Sequence, residues 1–139
     1  MNIIDKYTKN SVKIYLKEIK FENNPSLEKK DSYLECYDEL NAQLKGEDVI
    51  EVNFIRHVTI LPQESSDLKI VIGAEFIINT KKIKVKEIQW KEIDFVNEFK
   101  ESNIMDDVGS RASLLVAQIT SIFSKNPLIT PPGFLEREN

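Results

Sequence analysis

Leu68-Lys69-Ile70-Val71-Ile72-Gly73-Ala74-Glu75-Phe76-Ile77-Ile78-Asn79 is the stretch that decides the fold class. Leu68, Ile70, Ile72, Ala74, Phe76 and Ile78 alternate with Lys69, Gly73, Glu75 and Asn79, the period of two of a strand with one buried face. Val71 and Ile77 fall on the second face, so that face is not wholly wet. They read as subunit contacts or as ligand surface.

Upstream, the same period recurs. Val49–Leu61 places Ile50, Val52, Phe54, Val58 and Ile60 on one face, with Arg56 interrupting the series. A charge among core positions predicts a bulge or a subunit rim there. Gly46-Glu47-Asp48 is a turn signal. Before it, Ser32–Leu44 carries Leu34, Cys36, Leu40, Ala42 and Leu44 in register, with Asp38 as the interruption, again predicting a bulge or an exposed edge. Ser11–Glu22 reads as the first strand, with Val12, Ile14 and Leu16 on one side and Lys13, Tyr15 and Lys17 on the other. Asn23-Asn24-Pro25-Ser26 turns the chain into a polar crossover over Leu27–Asp31.

Downstream, Ile83 and Val85 alternate with lysines over Lys81–Gln89, an extension of the sheet. From Trp90 to Ser102 the spacing turns helical through Trp90, Ile93, Phe95, Val96 and Phe99. Asp106 or Asp107 is placed to cap a second helix, whose stripe is Val108, Ala112, Leu115, Ile119, Ile122 and Phe123. Strands first and helices last predict an α+β domain with helices on one face of an antiparallel sheet. The other face, apolar in places, invites oligomerisation.

Composition narrows the function classes. With 139 residues, 41% apolar and 30% charged, the chain is one soluble globular domain over 1–139. Its net charge of −4 gives no general attraction for nucleic-acid phosphates. Cys36 is the single cysteine, so no intramolecular disulfide forms. Met1–Lys6 holds no long apolar core, and no run approaches the ~18 apolar residues of a membrane span. A cytoplasmic chain without membrane insertion is the expectation.

The chemistry-bearing residues are sparse. His57 is the one histidine, in mid-strand. A Cys–His arrangement with Cys36 on a neighbouring strand stays open at this level, but metal sites draw several His or Cys ligands and this chain has one of each. Gly73 and Gly109 are isolated, so no phosphate-cradling loop exists. The expectation is no catalytic residues, no metal and no cofactor: not an enzyme. Tyr33 and Tyr37 flank the polar crossover, where a groove could open to apolar peptide.

Towards the end of the chain that second helix carries Gly109-Ser110-Arg111-Ala112-Ser113-Leu114-Leu115. It runs into Asn126-Pro127-Leu128-Ile129-Thr130-Pro131-Pro132-Gly133-Phe134, an apolar, proline-bounded extended segment. With Ile14-Tyr15-Leu16-Lys17-Glu18-Ile19-Lys20-Phe21-Glu22 ahead of Pro25, and Asp48-Val49-Ile50-Glu51-Val52, this tail resembles the protein-export chaperone SecB family. The resemblance covers about half the chain. It implies a four-stranded antiparallel sheet with two C-terminal helices packed on one face, assembled as a homo-oligomeric dimer of dimers. It implies an ATP-independent holdase for unfolded polypeptide clients, keeping preproteins export-competent for the Sec translocase. A dedicated SecB-like chaperone for one partner, such as an antitoxin, is the alternative. By position, Tyr33, Leu34, Tyr37, Val71 and Ile77 would line the peptide groove, and Glu18 and Glu22 would meet the SecA motor. The chain departs from the family in its lysine-rich Lys81–Lys86 stretch and in Lys69, near where the motor surface favours acids.

Overall fold

The computed structural model describes residues 8–23, 33–46, 48–61, 66–79, 92–122 and 127–137. Four strands, β1 (Thr8–Asn23), β2 (Tyr33–Lys45), β3 (Val49–Leu61) and β4 (Ser66–Ile78), form one antiparallel sheet in the order β1-β4-β3-β2. Two helices follow, α1 (Glu92–Glu101) and α2 (Asn103–Thr120). The α+β class, the strand count and the two C-terminal helices on one face are as expected. The extension over Lys81–Gln89 lies outside the described residues.

The alternation read from the sequence sorts the side chains onto two faces. Ile50, Val52, Phe54 and Val58 of β3 and Leu68, Ile70, Ile72, Ala74, Phe76 and Ile78 of β4 are buried on the helix-covered face. Phe95 and Phe99, one turn apart on α1, both meet Phe76 edge-on, at 5.3 and 6.0 Å between ring centroids. From α2, Met105, Val108, Ala112 and Val116 complete the core.

The β2–β3 ladder runs without a break from Tyr33 opposite Leu61 to Lys45 opposite Val49. The bulges expected at Asp38 and Arg56 are therefore absent from this hairpin. Both residues are buried, directly opposite one another, and they neutralise each other. The irregularities lie in β1, where the register against β4 shifts between Thr8 and Val12 and again between Leu16 and Glu18. The second shift puts Lys17 and Glu18 together on the open face.

The second helix starts earlier than the acidic pair suggested. Ser102 is extended (φ −86°, ψ 160°), and its hydroxyl accepts from the Met105 N–H and donates to Phe99 O. A hydroxyl at the N-cap satisfies a free amide of the first turn, so Ser102 ends one helix and starts the next. Asp106 then lies in the first turn, where the helix dipole favours it, and Asp107 pairs with Arg111. The helix stops at Thr120, so Ile122 leaves the apolar stripe and is 84% exposed. Phe123 is outside the described residues.

Gly109 is the close approach between α2 and the C-terminal segment. A Cβ there would lie 1.6 Å from the Pro132 carbonyl oxygen. Helix propensity alone would make Gly109→Ala stabilising by ~1 kcal/mol. We expect the reverse, a loss of about 2–3 kcal/mol through overpacking, with Ser110→Ala within about 0.5 kcal/mol of the parent. Urea unfolding midpoints of the two variants check this.

Candidate functional site

The open sheet face is ordered in rows, because directly paired residues point the same way. One row is Tyr37, His57, Lys69 and Lys20; the next is Glu39, Ile55, Val71 and Glu18. Further along come Asn41, Asn53, Gly73 and Tyr15, then Gln43, Glu51, Glu75 and Lys13, then Lys45, Val49 and Ile77. Tyr37 and Val71 are thus in adjacent rows. Ile77 is four rows from Tyr37, roughly 27 Å along the strands. Val71 is buried and Ile77 is 39% exposed. Tyr37, Val71 and Ile77 do not form one patch, and the side chains of Tyr33 and Leu34 lie outside the described residues.

Glu18 and Glu22 share the open face, as spacing required. The row between them holds Lys20 directly opposite Lys69. Lys69 Nζ is 3.7 Å from Glu18, and Lys20 Nζ is 3.9 Å from Glu22. Each acid has a lysine beside it, so this strip is mixed in charge rather than acidic.

The middle of the face is polar and closed. Tyr15 lies flat over Gly73, where a Cβ would meet the ring at 2.7 Å. The Tyr15 hydroxyl donates to Glu51 and, at 3.1 Å, to Glu75. Glu51, fully buried, also accepts from Lys17 at 2.9 Å, Lys45 at 2.7 Å and Gln43 at 3.4 Å. Burial pushes this carboxyl upward, but the hydrogen bonds from Lys45, Tyr15 and Lys17, with the Lys17 charge, outweigh it and hold Glu51 down at about 2. Burial, then the bonds to Glu51 and Glu75 and their charges, push the Tyr15 phenol above its ordinary range.

Cys36 opposes Val58 on the helix-covered face, whereas His57 opposes Tyr37 on the open face. The sheet lies between them, so they form no catalytic pair. Burial pushes the Cys36 thiol up to about 11, with Arg56 lowering it and Asp38 raising it. Among the described residues no group of three or more His, Cys, Asp or Glu could hold a metal ion. None of the described helices is long and apolar enough to cross a membrane.

A dense side-chain hydrogen-bond cluster stands where β2, β3, α2 and the C-terminal segment meet. Arg56, fully buried, donates from Nε and Nη2 to the two Asp38 oxygens, each at 2.8 Å. Its Nη1 donates to Ser113 Oγ, Thr130 Oγ1 and Pro131 O, and its Nη2 to Gly133 O, at 2.9–3.1 Å. Asp38 reaches the same segment. Its N–H donates to Leu135 O and its Oδ2 accepts the Leu135 N–H, each at 2.8 Å. Thr120 Oγ1 accepts the Leu128 N–H at 2.7 Å. Past Gly133 the chain lies along the outer edge of β2. Phe134 sits under Lys100 Nζ at 4.3 Å, and the Arg137 guanidinium stands 4.6 Å over the Tyr37 ring, which itself stacks on His57 at 4.6 Å.

Sequence reading treated Asp38 and Arg56 separately, and missed the cluster. Yet the signal was present. The turn at Gly46 sets Lys45 opposite Val49, and seven steps outward on each strand bring Asp38 opposite Arg56.

No family model matches the sequence, and no curated protein matches it. Among solved structures, the chain is similar in fold to the Mycobacterium tuberculosis SecB-like chaperone Rv1957, solved in complex with a ChAD peptide from the Rv1956 HigA1 antitoxin. The TM-score is 0.61 at 12% identity, over 87% of this chain and 88% of that one. The fold is SecB-like.

Two measurements probe the site. Arg56→Leu leaves Asp38 buried without its partner, and should cost about 3–5 kcal/mol. A double variant Arg56→Leu/Asp38→Leu should recover a large part of that in urea unfolding. For Glu51 the folded value of about 2 lies below the ordinary 4.5. Its stabilisation is therefore complete above about pH 5 and lost as pH falls towards 2. Glu51→Gln should flatten the acid limb of the stability profile over that window, with little change of slope above pH 6.

Proposed function

We propose that the chain is an ATP-independent holdase chaperone that binds unfolded polypeptide. The observation that carries this reading is the SecB-like fold itself, whose solved neighbour was captured with a peptide bound. The surface adds support. Tyr37 is a half-buried aromatic on an edge strand, next to a docked extended segment, an arrangement suited to varied peptides. Exposed apolar residues on the other edge strand, Leu16 and Ile19 at 50% and 42%, and on or after α2, Leu114, Ile122 and Ile129, fit assembly as a dimer of dimers. Tyr33, Leu34, Tyr37, Val71 and Ile77 remain the proposed client contacts, with the half-buried Tyr37 on the β2 edge as the foremost of them.

Two client programmes fit this reading. General export would use Glu18 and Glu22 to dock the SecA motor from a cytoplasmic holdase. A dedicated partner, such as an antitoxin, is favoured by the neighbour's antitoxin peptide and by the lysines beside both acids. Either way, affinity for a long client comes from many weak contacts on one chain.

Binding of a reduced, carboxymethylated globular protein, followed by size-exclusion chromatography with light scattering, tests the holdase. A stable complex with an oligomer is expected. Tyr37→Ser should weaken client capture about tenfold, as for loss of a buried aromatic contact, with the oligomer intact. Unchanged capture would remove Tyr37 from the client surface. Broad binding of unrelated clients favours export, and selective binding favours a dedicated partner.

A further inference from the structure

The C-terminal segment changes character at Gly133. Before it, Thr130 is buried, and Pro131 and Gly133 feed carbonyls to the buried Arg56. After it, Phe134 still packs half-buried against the core, and beyond Leu135 the side chains are held by exposed contacts. Glu136, 78% exposed, lies 3.4 Å from Lys100, and Arg137 lies 4.0 Å from Glu35. Ion pairs this exposed hold weakly.

The backbone contact at the junction is generic. Asp38 gives one N–H and one carboxylate oxygen to the C=O and N–H of Leu135. Any extended residue except proline can make that pair, because it asks only main-chain groups of the incoming residue, one of them bonding the Asp38 carboxylate. Edge strands with such unpaired groups take up extended segments. Side-chain selection comes from the two flanking positions: an aromatic ring under Lys100, filled by Phe134, and a cation over Tyr37, filled by Arg137. The positions are three residues apart.

We propose that Phe134–Arg137 is a displaceable strap, standing on the β2 edge where an extended client segment docks. The edge takes polypeptide with an aromatic residue three positions before a basic one, and a residue other than proline just after the aromatic. The proposal rests on the holdase reading and deepens it. The strap shields the edge when no client is present, and the buried Arg56 anchor keeps it nearby for return.

Two amides of the full chain report on the exchange. Hydrogen exchange is followed by NMR with and without a reduced, carboxymethylated protein. On client binding the Leu135 N–H should lose protection, while the Asp38 N–H keeps it, because a client carbonyl replaces Leu135 O. Glu136→Ala/Arg137→Ala, which loosens the strap without touching the Arg56 anchor, should bind the same client about five- to tenfold more tightly. A ten-residue peptide of the sequence 130–139 should compete. The same peptide with Phe changed to Ala or Arg to Glu should compete at least tenfold less well. If the client binds while Leu135 stays protected and the double variant is unchanged, the strap is wrong and the holdase reading stands. If neither protein binds any unfolded client, both fall together.

Discussion

A buried guanidinium is the constraint around which this structure is arranged. Arg56 cannot lose its charge in a protein and carries five N–H groups that must be satisfied once water is excluded. Asp38 supplies two acceptors and the opposing charge. The rest have to come from elsewhere, and a proline-bounded extended segment is a good source. Such backbone makes no internal hydrogen bonds and leaves its carbonyls free. Pro131 and Gly133 give theirs to Arg56, and Ser113 of α2 adds a hydroxyl. One side chain on β3 thereby joins an edge strand, a helix and the C-terminal segment. A buried pair of this kind is weak support for stability, since apolar replacements of similar volume are often as stable. Its contribution here is positional, in setting where the segment lies on the β2 edge.

The two sheet faces solve different problems. The helix-covered face is an ordinary apolar core, with Phe76 between Phe95 and Phe99. Neither described helix covers the open face, yet Glu51 on that face is completely buried. Tyr15 accounts for part of this. Gly73 leaves a gap in β4 that the Tyr15 ring fills, and the ring carries its hydroxyl to both Glu51 and Glu75. The lysines from β1 and the end of β2 close the rest. The centre of this face is therefore a saturated polar network with few free donors or acceptors to offer a partner. That moves attention from the face to its β2 edge.

Sequence reading recovered the sheet because its rule is simple: period two fixes which side of a strand is buried. It assigned no strand order, since which strands pair depends on contacts distant in sequence. The errors share one cause. Asp38 and Arg56 violate the alternation, and each was treated as a local irregularity, when a pair of opposite charges can occupy core positions if they face each other. The later helix start was misread for a similar reason. Asp106 and Asp107 look like caps, but Ser102 has the extended backbone that lets a side chain reach back to the third amide. The scatter of the proposed groove residues was not legible at all. Val71 and Ile77 share a face by parity, but their distance from Tyr37 depends on the register of three strands.

The edge location bears on how a holdase would work on this fold. A chaperone for unfolded chains has to bind without demanding one sequence, and main-chain pairing supplies that tolerance. It also has to avoid joining its own copies edge to edge, the usual hazard of an open strand. A segment of the same chain, tied down at Arg56, resting Phe134 on the core and loosely held beyond Leu135, answers both needs. It covers the edge at high effective concentration and gives way to a client that pairs with Asp38 in the same manner. The buried anchor and the exposed distal end are two halves of one device: without Arg56 the segment would drift from the edge, and with stronger contacts beyond Phe134 it would never leave.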